Sequence, residues 1–283
     1  MSYSRPEIKT ALVVGATGEA GLSAMDAVRE ASPQAHIIAT TRSQQSVPGA
    51  DETLPDIEIN DELTDRIRSE LKHRSSHLDL LVYTPALGEP GFPIERTTEE
   101  QWSQAADFSF QPILELERNL RPALSVGYSA FYWLPHTLSF YGALGYVKKA
   151  MEEWCLEAPQ QRALVRGGTF YSKSVRGISL LLQRLMKKTE NPELQKMKDE
   201  FANTNMRFLD FFLEYASHRE KEAFGQNFEE PYRRTERDDL SRGLVKILAG
   251  DGPIVNVVGP WTWSDTTLPA LPEYFQRFGY GSP

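Results

Sequence analysis

The sequence predicts an α/β fold: a doubly wound parallel sheet carrying a helical insertion after its sixth strand. Three observations predict it. Short apolar runs alternate with stretches of helical periodicity along the chain. The first run enters a glycine-rich turn that opens a helix. Residues 170–234 then carry a helical pattern where the sheet needs none. A chain of 283 residues is long enough for one such domain with an addition and for a substantial core.

Ala11 to Val14 is an apolar run suited to a buried parallel strand. Gly15, Gly18 and Gly21 follow at three-residue spacing, and Leu22 to Val28 continue with helical periodicity. A turn of this kind holds a dinucleotide pyrophosphate. The first glycine permits the tight turn, the second lets backbone approach the phosphates, and the third lets helix and strand pack closely. The N–H groups at the helix start supply donors and the positive end of the dipole. Gly15, Ala16, Thr17, Gly18 and Gly21 are therefore the first candidate cofactor residues, with Glu19 required to point away from the phosphates.

Ala35 to Thr41 reads as the second strand, at the distance from the glycines where the adenosine ribose is contacted. An acidic residue there would favour NAD. This chain has Thr40, Thr41, Arg42 and Ser43, with no carboxylate until Asp51. The donor fork of Arg42, beside Thr41, suits a 2′-phosphate, so NADP(H) is expected over NAD(H). The plainer alternative for Arg42 is a solvated loop cation.

Asp56 to Ile59 is expected as the third strand, ending in Asn60 and Asp61 near the adenine. A helix over Glu62 to Arg74 follows. Leu78 to Tyr83 is the fourth strand, closed by Thr84 and Pro85, which are expected to line the cofactor. Thr98 opens a helix towards Leu120, Tyr128 to Leu134 forms the fifth strand, and Tyr146 to Glu157 the next helix. Ala163 to Arg166 is the sixth strand, ended by Gly167 and by Gly168, a further cofactor candidate. Thr235 with Asp238 makes a capping-box-like start to a helix over Asp239 to Leu248. Ile254 to Val258 is the last strand. One domain is thus expected over 1–283, with its core in 1–168 and 235–262 and its insertion in 170–234.

Ile178 to Met186 and Leu194 to Ser217 give the insertion a rich apolar face. Ligands of open α/β sheets bind beyond the carboxyl ends of the strands. The insertion is placed either to cover the nicotinamide end and shape an apolar pocket, or simply to pack on the body or on a second copy.

A net charge of −8 and a pI near 5.3 argue against a general nucleic-acid or anionic-membrane binder. The single cysteine, Cys155, excludes an intramolecular disulfide and a thiolate cluster. No leader pattern and no apolar run near membrane-spanning length is seen, so a cytoplasmic protein is expected. His73 and His77 share helical spacing, but with cations and no carboxylate beside them they read as a solvated helix end, and no metal is expected.

Outside the insertion, these motifs resemble the short-chain dehydrogenase/reductase superfamily, whose core is a Rossmann fold. Leu78-Asp79-Leu80-Leu81-Val82 resembles its fourth strand, and Arg166-Gly167-Gly168-Thr169 its Arg-Pro-Gly-Thr stretch, with Gly167 in place of proline. The glycine spacing is that of the extended and atypical branches. Most members carry Tyr-x-x-x-Lys; here Leu144 and Gly145 stand four residues before Lys148 and Lys149. Tyr141 and Lys148 instead have six residues between them, which resembles the Tyr-x6-Lys of enoyl-acyl-carrier-protein reductases. Gly145, Glu152, Ser109 and Thr84 lean the same way.

The resemblance implies an NADPH-dependent reductase acting on a conjugated C=C or a C=O of an apolar small molecule, with an acyl thioester as one candidate. Tyr141 would donate to the enolate or alkoxide oxygen, Lys148 (or Lys149) would hold the nicotinamide ribose, and Tyr132 would be a second donor to a carbonyl. Partners beyond the substrate are not implied, save a homodimer through the lysine-bearing helix. The alternative is a non-catalytic NADP-binding regulator resembling NmrA-like proteins, which keep the glycine turn and lose the tyrosine–lysine pair.

Overall fold

A computed structural model describes residues 2–72 and 77–281; His73 of the histidine pair lies outside them. The strands are β1 (Thr10–Val14), β2 (His36–Thr40), β3 (Glu52–Leu54), β4 (Leu80–Tyr83), β5 (Leu124–Ala130), β6 (Arg162–Gly167), β7 (Ile254–Val258) and β8 (Trp261–Asp265). The helices are α1 (Glu19–Ala31), α2 (Leu63–Leu71), α3 (Glu99–Ser109), α4 (Gln111–Leu120), α5 (Pro135–Phe140) and α6 (Ala143–Glu157), then α7 (Lys173–Leu185), α8 (Pro192–Ala202), α9 (Phe208–Phe224) and α10 (Arg237–Leu248).

One sheet has the order β3-β2-β1-β4-β5-β6-β7-β8, parallel from β1 to β7, with β8 antiparallel at its edge. The order reverses between β1 and β4, which makes the crevice beyond their carboxyl ends the expected ligand position. Side chains alternate across the strands. Leu12, Leu81 and Leu164 face α3, α4 and α6 through Trp102, Ile113 and Val147. Val13, Val82 and Val165 face α1 and α10 through Met25, Val28 and Leu244. Both faces are covered, which is why the central strands read as continuous apolar runs rather than alternating ones.

Several boundaries differ from expectation. The third strand is Glu52–Leu54, not 56–59; Asp51 accepts from the Ile37 N–H at 2.8 Å and pins this polar edge strand to β2. The fifth strand ends at Ala130, and Phe131 to Leu134 belong to an aromatic cluster beyond it. The helix expected from Thr98 to Leu120 is two, because Pro112 has no N–H to continue the ladder. Its Thr98 cap forms a full capping box with Gln101. In α10 the box is Glu236 with Asp239, one residue beyond the expected pair. The antiparallel β8 was not anticipated.

The insertion is α7, α8 and α9. Its own core joins Leu182, Leu194, Met197, Phe208, Phe211 and Phe212 to Phe140 of α5. Its far end is seated on the carboxyl edge of the sheet by rings: Phe131 lies 4.7 Å from Phe224, and Phe224 lies 5.1 Å from Trp263.

Candidate functional site

The glycine turn is assembled by β1, the start of α1 and the end of β4. Gly15 takes φ +80, a conformation that favours glycine, and its N–H donates to Thr40 Oγ1 at 3.2 Å. The Thr84 hydroxyl donates to the carbonyls of Val14 and Gly15 at 3.0 and 3.1 Å, and Pro85 lies against Gly15. A Cβ on Gly21 would stand 2.3 Å from the Gly15 oxygen, so only glycine lets α1 approach β1 this closely. Gly18 is different. Its Cβ would meet nothing nearer than 3.7 Å, and Thr17 and Gly18 are exposed while Ala16 is buried. No side chain caps α1, whose first-turn N–H groups therefore face this open crown. That combination fits an anionic pyrophosphate.

At the end of β2, Thr41 is buried and bonds Ser43, while Arg42 is exposed with no ion pair among the described residues. Asn60 and Asp61 are exposed before α2, and the Asn60 carboxamide oxygen accepts from the Glu62 N–H at 3.0 Å. Gly15, Ala16, Thr17, Gly18, Thr41, Arg42, Thr84 and Pro85 thus belong to one edge of the sheet.

The tyrosine–lysine pair is arranged less simply. Lys148 lies in the second turn of α6, 5 % exposed, and its Nζ donates to the Tyr128 carbonyl of β5 at 2.7 Å. Burial lowers its pKa to about 8, and Glu152 one turn on partly offsets that. Tyr141 is half-buried at the end of α5, bridged to Phe92 and touching Phe140 edge-on. Burial pushes its phenol up to about 12. No hydrogen bond joins Tyr141 to Lys148 among the described residues. Gly145 has a packing reason of its own, since its Cβ would fall 2.3 Å from Ile94 Cδ1. Leu144 packs against Gly88 in the loop after β4. Lys149 bonds Glu153 at 2.5 Å on another side of the helix.

Tyr132, expected as a second donor to a carbonyl, is turned into the protein interior. It is fully buried, and its hydroxyl donates to Glu152 Oε2 at 3.0 Å. It belongs to a network that composition gave little sign of. The Arg166 guanidinium grips Glu152 through two bonds of 2.8 and 2.7 Å, and reaches Asn256 at 2.8 Å and Asp265 at 2.6 Å. Ser129 donates to the same glutamate at 2.7 Å. Glu152 and Arg166 side chains are wholly buried, and the Trp133 ring lies 4.6 Å from the guanidinium carbon.

Gly168 closes β6, its N–H donating to Val257 at 2.7 Å. It lies under Glu220 of α9: a Cβ there would stand 2.7 Å from Glu220 Oε2 and 2.8 Å from Thr235 Oγ1. Glu220 accepts from the Thr169 N–H at 2.5 Å and from the Tyr232 hydroxyl at 3.4 Å. Burial raises its carboxyl to about 7, against the Thr169 and Tyr232 bonds that pull it down. Nothing local to residue 220 signals this role, because its partner is far away in sequence.

No family model matches the sequence, and no curated protein matches it. Solved structures do. The chain is similar to the structure of gox2181 (15% identity, TM-score 0.56, covering 89% of this chain and 95% of that one). It is similar to the RhlG/NADP active-site complex of Pseudomonas aeruginosa (16%, 0.51, 77% and 90%). It is also similar to a short-chain dehydrogenase/reductase of Saccharomyces cerevisiae (17%, 0.51, 68% and 83%). With the sheet order and the glycine turn already described, these likenesses identify the fold as the Rossmann fold of the short-chain dehydrogenase/reductases.

Proposed function

We propose that this protein is an NADPH-dependent reductase that delivers hydride to a conjugated C=C or a C=O of an apolar small molecule. The observation that carries the reading is the glycine turn: a first glycine at positive φ, a close-packed third, and an open crown at the second, facing uncapped helix N–H groups. Arg42, exposed and unpaired beyond β2, is the residue that would take a 2′-phosphate. The likeness to the RhlG/NADP complex supports a nicotinamide cofactor.

Bound there, NADPH supplies the hydride. Lys148 would turn its ammonium from the Tyr128 carbonyl towards the ribose hydroxyls. Tyr141, a phenol protonated at neutral pH, would act as the donor to the oxygen that gains charge. Burial makes that phenol a weaker acid than a free tyrosine, so proton donation would rely on the Lys148 ammonium moving close enough to lower it. Tyr132 holds Glu152 and has no part in proton transfer.

A second reading, an NADP-binding regulator, draws on one observation: the Lys148 ammonium is already satisfied inside the protein, and Leu144 stands four residues before it. NADPH absorbance followed with enoyl thioesters, enones, ketones and aldehydes separates the two, with Tyr141→Phe alongside. Turnover that collapses in the variant supports the reductase. Saturable NADPH binding without turnover supports the regulator, and no binding at all sinks both.

A further inference from the structure

Five large hydrophobic side chains are exposed among the described residues: Leu87, Tyr171, Leu180, Leu181 and Leu185. Four of them stand on or beside α7. The fifth is in the loop after β4, and that loop meets α7 where Gly91 lies against Leu185 and Leu181. Most of the exposed apolar bulk among the described residues therefore gathers on and beside α7.

The stretch of α7 and the turn after it carries charge of one sign, with exposed Glu89 and Glu190 at its margins. Between Tyr171 and Thr189 the chain carries Lys173, Arg176, Arg184, Lys187 and Lys188 and no acidic residue, in a protein whose net charge is −8. All five cations are exposed, and none has an ion-pair partner among the described residues. Helical spacing interleaves them with the leucines. Arg176 and Leu180, Leu180 and Arg184, and Leu181 and Leu185 are each four residues apart on the outward side. Leu182 and Ser179 face the insertion core instead. Such a helix would dissolve better with polar residues in place of its outward leucines, and packing in the insertion core does not explain them.

We propose that α7 is an interfacial helix that seats the protein on an anionic lipid surface, its leucines entering the headgroup boundary and its cations meeting lipid phosphates. A second copy docking through the same face would set the five cations against five more. The leucines point outward, and none of them lines the hollow by Glu273–Arg277 or the one beside Pro135 and Pro192. Outward leucines flanked by cations suit a soft anionic surface, which needs no matching groove. The whole-chain charge points away from anionic surfaces, but screening makes the local patch decisive at contact distance. The inference stands independently of the reductase reading.

The test is co-sedimentation of the full chain with vesicles of phosphatidylcholine alone and of phosphatidylcholine with phosphatidylglycerol, at low and high salt. Binding is expected to be at least about tenfold tighter to the anionic vesicles and to weaken in salt. Leu180→Asp with Leu181→Asp should abolish it, and Lys187→Glu with Lys188→Glu should reduce it about tenfold or more. Circular dichroism and a melting curve check that each variant is folded; these positions are exposed, so both should be. Equal binding to both vesicle types, or binding unmoved by either folded variant, overturns the proposal. So does polyglutamate displacing the protein from vesicles in the wild type while the leucine variant still binds it equally well, which would make the face an acidic-protein site.

Discussion

The two halves of the sheet's carboxyl edge are built on opposite principles. Around β1, β2 and β4 the edge is open: Thr17, Gly18 and Arg42 are exposed, and backbone N–H groups remain for a ligand. Around β5 to β8 it is closed, with a buried glutamate and arginine satisfied on every side and an aromatic cluster above them. One half leaves its donors free and so can bind; the other has used them and so holds the insertion in place. The difference teaches where substitutions should be read as loss of affinity and where as loss of fold.

The largest expected contrast tests that division. Glu152→Ala would leave Arg166 buried without its main partner and strand the Ser129 and Tyr132 hydroxyls, at a cost of about 3–5 kcal/mol in chemical denaturation. Replacing the pair together, Glu152→Leu with Arg166→Met, should recover much of it. Gly18→Ala, in the open half, should cost under about 1 kcal/mol in stability yet weaken NADPH binding. Equal stability losses at the two places would erase the distinction.

Next are two opposed pH slopes from buried groups. Lys148, lowered from 10.5 to about 8, leaves the folded state with fewer protons than the unfolded chain between those values. Stability therefore rises with pH through that window, and Lys148→Met should remove the rise. Glu220, raised from 4.5 to about 7, leaves the folded state with more protons between those values. Stability there falls as pH rises, and Glu220→Gln should flatten the fall and exceed the parent above pH 7. At about 1.4 kcal/mol per unit, each slope amounts to at most on the order of 3 kcal/mol. Denaturant midpoints across pH measure both, and curves parallel to wild type would mean that these groups are hydrated.

Smaller effects sharpen the open half. Gly21→Ala presses a methyl onto the Gly15 carbonyl and should cost about 1–3 kcal/mol. Arg42→Ala should leave stability unchanged and weaken NADPH about tenfold, with NADH nearly unaffected. Isothermal titration with both cofactors decides it; equal losses for the two would return Arg42 to a solvated loop cation.

This contrast also explains what could be read from the sequence. The glycine turn was legible because its chemistry is local: Gly15, Gly18 and Gly21 act on one another and on the strand beside them. The parallel sheet followed from apolar runs that are buried on both faces. The fifth strand was displaced because Phe131 to Leu134 look strand-like, though their rings belong to the cluster that seats the insertion. Strand β8 was missed because its pairing is with β7 and its purpose is Asp265. Glu220 was invisible for the same reason: it bonds a backbone N–H on the far side of the insertion. The bond from Tyr132 to Glu152 was equally hidden, because nothing in the tyrosine's neighbourhood announces that partner.

Asp265 has a consequence for the order in which the chain is made. Arg166 and Glu152 leave the ribosome roughly a hundred residues before Asn256 and Asp265, the partners that complete the guanidinium's bonding. Until then the arginine's remaining N–H groups must keep water. Strands β5 and β6 cannot close over it dry. A nascent chain halted before β7 should therefore remain susceptible to protease across α6 and β6, and addition of the final hairpin should bring protection to that distant segment.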